Sequence, residues 1–242
     1  MKNLSFSKHP DERHRMSTGR EAILKRLKEA ARIPSRLPSS PENLDERICV
    51  SLKAVTPGDG ESLIEQFREE LELVSGEFHR IDEPNEAVAI LAEIMKQSGV
   101  DCIAVTGEEI CQKISEGLIE KHPSIERIQA LELSYPERKN RLASIPVALV
   151  EASYAIADTG SLVFPYDDTK TSLPHFLSDC IVAIVSQKDL VANQFELFEK
   201  LSPDKAKNMV FVTGPSRTAD IEKVLILGAH GPRRLIVIMI HQ

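Results

Sequence analysis

The sequence predicts an α/β protein with a Rossmann-like three-layer α/β/α sandwich, in which helices cover both faces of a parallel sheet. From about residue 48 onward, amphipathic helical segments alternate with short apolar runs, and this alternation is typical of parallel strands joined by helices. The run 101–107 is short and apolar, as a buried strand is. The chain has 242 residues, of which 42% are hydrophobic, and this is enough to bury a substantial core.

The first part of the chain differs in character from the rest. Residues 17–32 show helical periodicity, with Thr18 and Glu21 in a capping-box pattern and an apolar stripe along one face. Residues 33–41 contain three prolines, which exclude regular helix and favour an extended connector. The stripe is expected to pack either on the main body or on a partner chain. We therefore expect three regions: a helical arm at 1–33, a Pro/Ser-rich linker at 34–47, and an α/β domain at 48–242.

The first half of the domain shows helices with recognisable ends. Phe67 and Leu71 stand at helical spacing within a predicted helix at 63–73. Pro84 opens a second helix and Gly99 ends it, as proline and glycine commonly do at these two positions. The pattern then predicts a strand at 101–107, a helix at 108–120 and a strand at 125–131.

The second half of the domain continues the alternation. Five apolar runs predict further strands, at 147–151, 161–164, 180–185, 209–213 and 235–240. Helices are expected at 188–201 and 219–227.

The charge pattern narrows the classes of partner. The net charge is −7 and the basic residues are scattered among acidic neighbours, which argues against a nucleic-acid or anionic-membrane surface. The apolar run 235–240 is too short to span a bilayer, and the charged N-terminus has no apolar stretch typical of a secretory signal. We therefore expect a cytoplasmic protein with no membrane span.

The cysteines point to packing rather than to cofactor binding. Cys49, Cys102, Cys111 and Cys180 form no CxxC pair and match no zinc or iron–sulfur spacing. Cys102 and Cys180 stand in or beside apolar runs, where cysteine acts as a small hydrophobic residue. We expect this chain to bind no metal and no cofactor of its own. The sequence also contains no Walker loop, no GxGxxG after a strand, no HExxH and no GxSxG.

A first candidate site is the turn Ala157-Asp158-Thr159-Gly160-Ser161. Gly160 suits a positive φ or a close backbone approach. Asp158 is a candidate base or hydroxyl ligand, although its spacing fits a structural Asx-turn equally well. Glu151, at a predicted strand end, is a second candidate carboxylate. The candidate catalytic residues are thus Glu151 and Asp158, with Thr159, Gly160 and Ser161 as candidate substrate- or anion-binding residues.

A second candidate site is the stretch 208–225, which the sequence predicts as strand, glycine turn and helix. In parallel α/β sheets, ligands bind beyond the carboxyl ends of strands, where such turns lie. Amides of a helix N-terminus could then hold an anion, together with four nearby candidates: Gly214, Ser216, Arg217 and Thr218. The alternative is that Ser216 or Thr218 only caps the helix.

Two histidines complete the set of candidates. His230 follows the predicted helix 219–227 within a Gly-rich turn and is counted among the anion-binding residues. His175 stands in Ser172-Leu-Pro-His175, just before an apolar run, and a single histidine at such a position is more often structural than catalytic.

Four stretches together resemble one family. They are 155–163 (AIADTGSLV), 172–174 (SLP), 214–222 (GPSRTADIE) and 227–232 (LGAHGP). In this order they resemble the LUD-domain family, in its lactate-utilisation protein C branch. The resemblance is clear from about residue 147 to 241 and loose over 34–142. Two departures are Ser161, where threonine is common, and the acidic insert 165–171, where more glycine or an arginine is expected.

The resemblance implies a fold similar to the NagB/RpiA/CoA-transferase-like superfamily. It also implies a role in oxidising L-lactate to pyruvate, as one subunit of a three-protein system. In such a system, iron–sulfur clusters are carried by the A- and B-type partner proteins, and this chain is the subunit without clusters. The ligand implied is a small carboxylate or other small anion, and no turnover is expected from the chain alone.

Two other classes of function stay open from the sequence. The first is a free-standing enzyme on a phosphorylated, folate or CoA-linked small molecule, with Glu151 or Asp158 as nucleophile or base. The second is a scaffold or regulatory subunit whose N-terminal arm holds a partner.

Overall fold

Alternating helices and strands follow one another from residue 60 onward. A computed structural model describes residues 60–134, 137–166, 171–201, 208–219, 225–227 and 231–241. The predicted arm at 1–33, the linker at 34–47, Cys49 and His230 lie outside these residues.

The described helices and strands are numbered here in chain order. The helices are α1 (Gly60–Leu73), α2 (Pro84–Ser98), α3 (Glu109–Lys121), α4 (Glu137–Ala143), α5 (Leu173–Leu177) and α6 (Gln194–Lys200). The strands are β1 (Glu77–Ile81), β2 (Cys102–Val105), β3 (Glu126–Gln129), β4 (Val147–Glu151), β5 (Tyr154–Ile156), β6 (Ser161–Tyr166), β7 (Cys180–Ser186), β8 (Leu190–Val191), β9 (Asn208–Val212), β10 (Arg217–Ala219), β11 (Leu225–Leu227) and β12 (Arg234–Ile240).

The central sheet has six strands in the order β1-β12-β7-β4-β2-β3. All of its strand pairs are parallel. Helices α2 and α3 pack on one face through residues such as Leu91 and Leu118, and α1 packs on the other through Phe67 and Leu71. The predicted α/β class, with a parallel sheet between helices, is therefore confirmed.

Strand β12 shows why the strands of the parallel sheet are apolar at every position and not only at alternate positions. Its residues Ile236, Ile238 and Ile240 face the α2 and α3 layer, while Leu235, Val237 and Met239 face the α1 layer. Because both faces of the strand are covered, both sets of side chains must be apolar.

The ends of α2 follow from its local sequence. Just before Pro84, the amides of Asp82 and Glu83 donate to the side chain of Glu86 at 3.0 and 2.9 Å, so Glu86 satisfies amides at the start of the helix. At the other end, Gly99 adopts a left-handed conformation with φ of 64°, which glycine reaches without steric cost. The predicted start and stop of this helix are confirmed.

A second, four-stranded sheet covers part of the α1 face, in the order β8-β5-β6-β9. Strand β6 pairs antiparallel with both β5 and β9. The predicted strands 161–164 and 209–213 therefore exist, but they belong to this sheet and not to the parallel one. Side chains from it, such as Leu162 and Phe164, join the core on the α1 face.

Two predicted helices are corrected by the structure. The helix expected at 219–227 is wrong, because Arg217–Ala219 and Leu225–Leu227 pair as antiparallel strands. The run Val-Leu-Ile-Leu at 224–227 is a short apolar segment, and periodicity alone does not separate helix from strand in such a segment.

The helix expected at 188–201 begins later than predicted, at Gln194. The side chain of Asn193 accepts hydrogen bonds from the amides of Phe195 and Glu196 at 3.0 and 3.1 Å, and this cap sets the start. Before the cap, Leu190–Val191 pairs with β5 as a short strand.

Candidate functional site

A cavity of about 190 Å³ opens at the carboxyl edge of the parallel sheet. Residues 106–108, which follow β2, form one side, and Glu151 at the end of β4 and Ser153 form another. Carboxyl ends of parallel strands are where ligands bind in open α/β sheets. The remaining described lining residues come from β6, α5 and nearby loops: Leu131, Phe164, Pro165, Tyr166, Thr171 and His175.

Hydrogen bonds hold the β2 side of the cavity in place. The amide and the hydroxyl of Thr106 both donate to the carbonyl oxygen of Leu149 in β4, at 3.2 and 3.4 Å. The carbonyl of Thr106 in turn accepts from the side-chain amide of Gln112 at 2.8 Å. The turn that presents Gly107 and Glu108 to the cavity is therefore anchored both to the sheet and to α3.

A buried tyrosine–histidine pair forms the β6 side of the cavity. The hydroxyl of Tyr166 lies 2.8 Å from Nδ1 and 3.0 Å from Nε2 of His175. The ring of Phe164 packs edge-on against the imidazole, with 4.3 Å between ring centroids. His175 is only 4% exposed, so its place in the wall is determined by packing and by the Tyr166 hydroxyl together.

Both members of this pair are neutral near pH 7. Burial lowers the pKa of His175 to about 4, because the imidazolium would lose its hydration. Burial also raises the pKa of Tyr166, and the negative charge of Glu108 raises it further. The pair can therefore exchange hydrogen bonds with a ligand but contributes no charge.

The described lining contains two acidic side chains. Glu108 and Glu151 are both half-buried and line the cavity. The described lining residues include no lysine and no arginine. Leu131, Phe164 and Pro165 supply an apolar wall. This combination can accept hydrogen bonds from a ligand and can enclose a small carbon skeleton.

The first predicted turn lies against helix α1 and outside the described lining of this cavity. Gly160 has φ of +59°, and a Cβ atom there would lie 2.4 Å from the backbone nitrogen of Leu71. Asp158 and Thr159 are at the surface. Partial desolvation is the main cause that raises the pKa of Asp158, and the nearby Glu70 charge adds to it. Position 160 therefore requires glycine because it lies so close to the backbone of α1.

The second predicted turn also lies against α1, at its C-terminal end. Gly214 has φ of +92° and stands against Val74. The guanidinium of Arg217 donates to the carbonyl oxygen of Val74 at 2.6 Å and to the hydroxyl of Ser75. This arrangement satisfies a carbonyl beyond the last turn of α1, where a cation is favourable.

The second turn is therefore at the edge of the parallel sheet opposite the cavity. Val74 and Ser75 lie in the short segment between α1 and β1. The amide of Ser216 donates to the carbonyl of Pro232 at 2.7 Å, just before β12 begins. Among the described residues, strand β10 and not a helix follows Gly214. The helix predicted after this turn is therefore replaced, in the described residues, by the paired strands β10 and β11, and the anion-binding roles of Gly214, Ser216, Arg217 and Thr218 stay predictions.

The two predicted turns nevertheless meet each other. The hydroxyls of Ser161 and Thr213 are 2.6 Å apart, at the place where β6 pairs with β9. Among the predicted site residues, Glu151 lines the cavity, Gly160 contacts α1, and Gly214 and Arg217 contact the segment just after α1. The backbone of Thr218 lies in β10, and the ligand-binding roles of all these residues stay predictions.

The structure adds residues that sequence reasoning did not select for the site, namely Thr106, Glu108 and Tyr166. Glu108 follows the predicted strand 101–107, so the strand-end rule could have selected it. His175 was noted in the sequence, but its pairing with Tyr166 depends on packing between β6 and α5. No local pattern signals that contact.

Metal-binding clusters and membrane-spanning helices were both considered for the described ranges of the chain only, because these are the residues with defined positions. Within them, no three His, Cys, Asp or Glu side chains are grouped so that they could hold a metal ion. Within the same ranges, no helix is both long enough and apolar enough to cross a membrane.

Comparisons with known proteins identify relatives over most of the chain. A family profile described as the LUD domain matches residues 64–240. Lactate utilization protein C from Bacillus pumilus is 24% identical over 194 residues, which are 74% of this chain and 79% of that protein. Lactate utilization protein C from Geobacillus thermodenitrificans is 29% identical over 104 residues, 40% of this chain and 42% of that protein.

A solved structure shares the fold. A DUF162 family protein from Deinococcus radiodurans superposes with a TM-score of 0.56 at 16% sequence identity, covering 76% of this chain and 99% of that one. At this identity the likeness concerns the fold alone.

Proposed function

The chain belongs to the LUD-domain family, and from this premise we propose that it acts in lactate utilisation. The observation that carries the proposal is the match to a lactate utilization protein C along 74% of the chain and 79% of that relative. The match covers most of both chains, so the similarity extends over the whole domain and is not confined to one motif.

In finer detail, we propose that this chain is the subunit without iron–sulfur clusters in a system that oxidises L-lactate to pyruvate. That reaction releases two electrons and two protons per lactate, so an electron acceptor must take part. The cysteines of this chain stand singly in the sequence, and clusters of the A- and B-type partner proteins are the acceptors that this proposal invokes. We therefore expect the chain to support lactate oxidation only together with the A- and B-type partner proteins.

The cavity at the carboxyl edge of the sheet is the proposed ligand site of this subunit. It brings together Glu151, Glu108 and the Tyr166–His175 pair. Glu151 is the one predicted catalytic residue that lines it, and it is the first position to substitute in tests of activity. Arg217 is hydrogen-bonded to the backbone just after α1, so we do not propose it as the counter-ion of a bound carboxylate.

A growth experiment tests the role in lactate use. The gene is deleted in its host, and growth is compared on L-lactate and on pyruvate as sole carbon sources. We expect growth to fail on L-lactate, to continue on pyruvate, and to return when the intact gene is supplied. Normal growth of the deletion strain on L-lactate, in a host with no second lactate oxidase, contradicts the proposed role.

A reconstitution experiment tests the finer proposal. The purified chain is assayed for L-lactate-dependent reduction of an artificial electron acceptor, first alone and then with its iron–sulfur partners. Turnover is expected only in the mixture. Robust lactate oxidation by the chain alone contradicts the division of labour and favours a free-standing enzyme.

A further inference from the structure

We propose that the Tyr166–His175 pair makes the cavity at the carboxyl edge of the sheet selective for an alcohol over the corresponding ketone. The inference rests on the proposed function, in which this cavity is the ligand site, and it assigns a role to two residues of that site. In the direction of lactate oxidation, such a pair retains the hydroxy acid and releases the keto acid.

The cavity lies where the connections of the parallel sheet diverge. Strands β2 and β4 are neighbours in the sheet. From β2 the chain continues through α3 to β3 on one side, whereas from β4 it continues to β7 on the other side. In open α/β sheets this divergence point is where ligands bind. The residues that follow β2 and β4, among them Gly107 and Ser153, line the cavity, so its position agrees with a ligand site.

The size and the apolar part of the wall suit a small carbon skeleton. The cavity volume is about 190 Å³, and a cavity of roughly 150 Å³ in another protein takes up benzene. By this scale a molecule of roughly six non-hydrogen atoms, such as lactate or pyruvate, fits. Leu131, Phe164 and Pro165 supply apolar surface. These residues do not distinguish an alcohol from a ketone, so that discrimination requires a polar group of the wall.

The two hydrogen-bond partners of the His175 ring determine where its proton lies. A hydrogen bond to the backbone of Ser172 raises the pKa of His175, which is the effect of a carbonyl oxygen that accepts from a ring N–H. Burial outweighs this effect and keeps the ring neutral, and a neutral imidazole has only one N–H. The ring nitrogen that contacts Tyr166 therefore carries no proton, and the hydroxyl of Tyr166 donates to it.

This arrangement leaves the pair with an acceptor but no donor for a ligand. The single proton of the Tyr166 hydroxyl is directed at His175, and its oxygen keeps an unused lone pair. Both side chains line the cavity and are buried, at 8% and 4% exposure. An alcohol donates its O–H to the Tyr166 oxygen. A ketone brings a second acceptor against that oxygen, so both oxygens lose hydration without gaining a hydrogen bond.

A matched series of three probes tests the inference. L-Lactate, pyruvate and propionate share a three-carbon carboxylate skeleton and one negative charge at pH 7, and they differ only in bearing a hydroxyl, a carbonyl or hydrogens at the second carbon. The comparison is therefore independent of the charges around the cavity. Each probe is titrated into the full chain, and NMR chemical-shift changes give the dissociation constants. We expect L-lactate to bind roughly tenfold more tightly than pyruvate or propionate.

Two variants separate the roles of the two residues. Tyr166→Phe removes the accepting oxygen, so the tenfold advantage of L-lactate over propionate should be lost. His175→Leu removes the acceptor of the Tyr166 proton, which is then free to donate to a ligand. In His175→Leu we expect the preference to change in favour of the ketone, so that pyruvate binds at least as tightly as L-lactate. A role in stability alone changes neither ratio.

Tyr154→Phe is the matched control. Tyr154 is half-buried on the second sheet and lies outside the described lining of the cavity, so the wild-type ratios should be kept. An NMR fingerprint that is unchanged away from the cavity verifies that each variant is folded.

Three results overturn the inference. They are no saturable binding of L-lactate, pyruvate binding to the wild type as tightly as L-lactate, or lactate-to-ketone and lactate-to-propionate ratios that neither cavity variant alters. Each of them leaves the growth test on L-lactate untouched. Conversely, normal growth of the deletion strain contradicts the role in lactate use and leaves a measured preference for the alcohol standing.

Discussion

The guanidinium of Arg217 donates a hydrogen bond to the carbonyl oxygen of Val74 across 2.6 Å, and so joins the β10 hairpin to the end of helix α1. The same guanidinium also reaches the hydroxyl of Ser75. Arg217 belongs to the stretch GPSRT, which from sequence looked like an anion site. Its observed contacts are those of a helix C-terminal cap.

Arg217→Ala is expected to lower the free energy of unfolding by about 1 kcal/mol, since a carbonyl at the helix end loses a charged partner. Chemical denaturation measures this loss. Arg233→Ala is the control, because Arg233 is exposed and only 3.7 Å from an exposed Asp179. The control should change stability by less than about 0.5 kcal/mol. Equal stability of the wild type and Arg217→Ala contradicts the capping role.

Gly160→Ala is expected to be severely destabilising, by about 3 kcal/mol or more. The new Cβ would lie 2.4 Å from the backbone nitrogen of Leu71, at a φ of +59°. Gly99→Ala is a graded control, because Gly99 has a similar φ of +64° but open space around it. Gly99→Ala should lower the free energy of unfolding by about 1 kcal/mol, because only the strain of the left-handed backbone is added.

Gly60→Ala completes this series. Nothing lies within 4 Å of a Cβ atom at Gly60, and its φ is not positive. It should be neutral or slightly stabilising. Thermal or chemical denaturation of the three variants gives the order, and equal losses at Gly160 and Gly99 would contradict the close approach to α1.

Because His175 is buried and neutral, we expect the protein to lose stability in mild acid. Its pKa is about 4 in the folded protein and about 6.5 when unfolded. Below the unfolded value, the unfolded chain takes up a proton that the folded chain does not. Stability is therefore unaffected by this group above about pH 6.5 and falls as the pH drops toward 4, by about 3 kcal/mol in total.

His175→Asn removes this contribution and keeps a polar group near Tyr166. Denaturation of the variant and of the wild type at several pH values from 7 to 4 measures the difference. The wild type should lose more stability than the variant across that window. Parallel pH profiles for the two proteins, or an NMR titration of His175 near pH 6.5, contradict the burial argument.

Tyr166→Phe is expected to cost about 1 kcal/mol, because the buried imidazole of His175 loses a hydrogen-bond partner. Chemical denaturation again gives the value. Tyr154→Phe is the control, since Tyr154 is half-buried on the second sheet and lies outside the described lining of the cavity. A double variant with His175→Asn should cost less than the sum of the two single changes, because the two residues share one interaction.

Much of the fold could be predicted from local sequence. Pro84 and Gly99 act within a few residues, so they mark the ends of α2 in the sequence as they do in the structure. The run 147–151 corresponds to β4, Val147–Glu151, because a strand covered on both faces needs an unbroken apolar run.

Other elements could not be predicted because their identity depends on distant partners. The sequences of β6 and β9 resemble those of the parallel strands, and only their mutual antiparallel pairing places them in a second sheet. Likewise, residues 225–227 form a strand because they pair with 217–219. A short apolar run does not carry that information itself.

In the candidate site, too, some residues could be selected from local sequence and others only from contacts between distant segments. Glu151 was selected from sequence because it ends an apolar run, and it lines the cavity. Tyr166 and His175 meet through packing of separate elements, and only the tertiary structure could bring them together with Glu108. Conversely, Gly214 and Arg217 were selected by a strand-end rule that applies to parallel sheets, and β9 is not in one.

The sequence by itself determined the α/β class, the family and the positions of most strands, because these depend on periodicity, on turn residues and on contiguous motifs. Only the tertiary structure decided which turns lie at which edge of the sheet. The order of strands is set by long-range packing of both faces, so residues 106 and 175 line one cavity while Arg217, at the opposite edge, caps a helix.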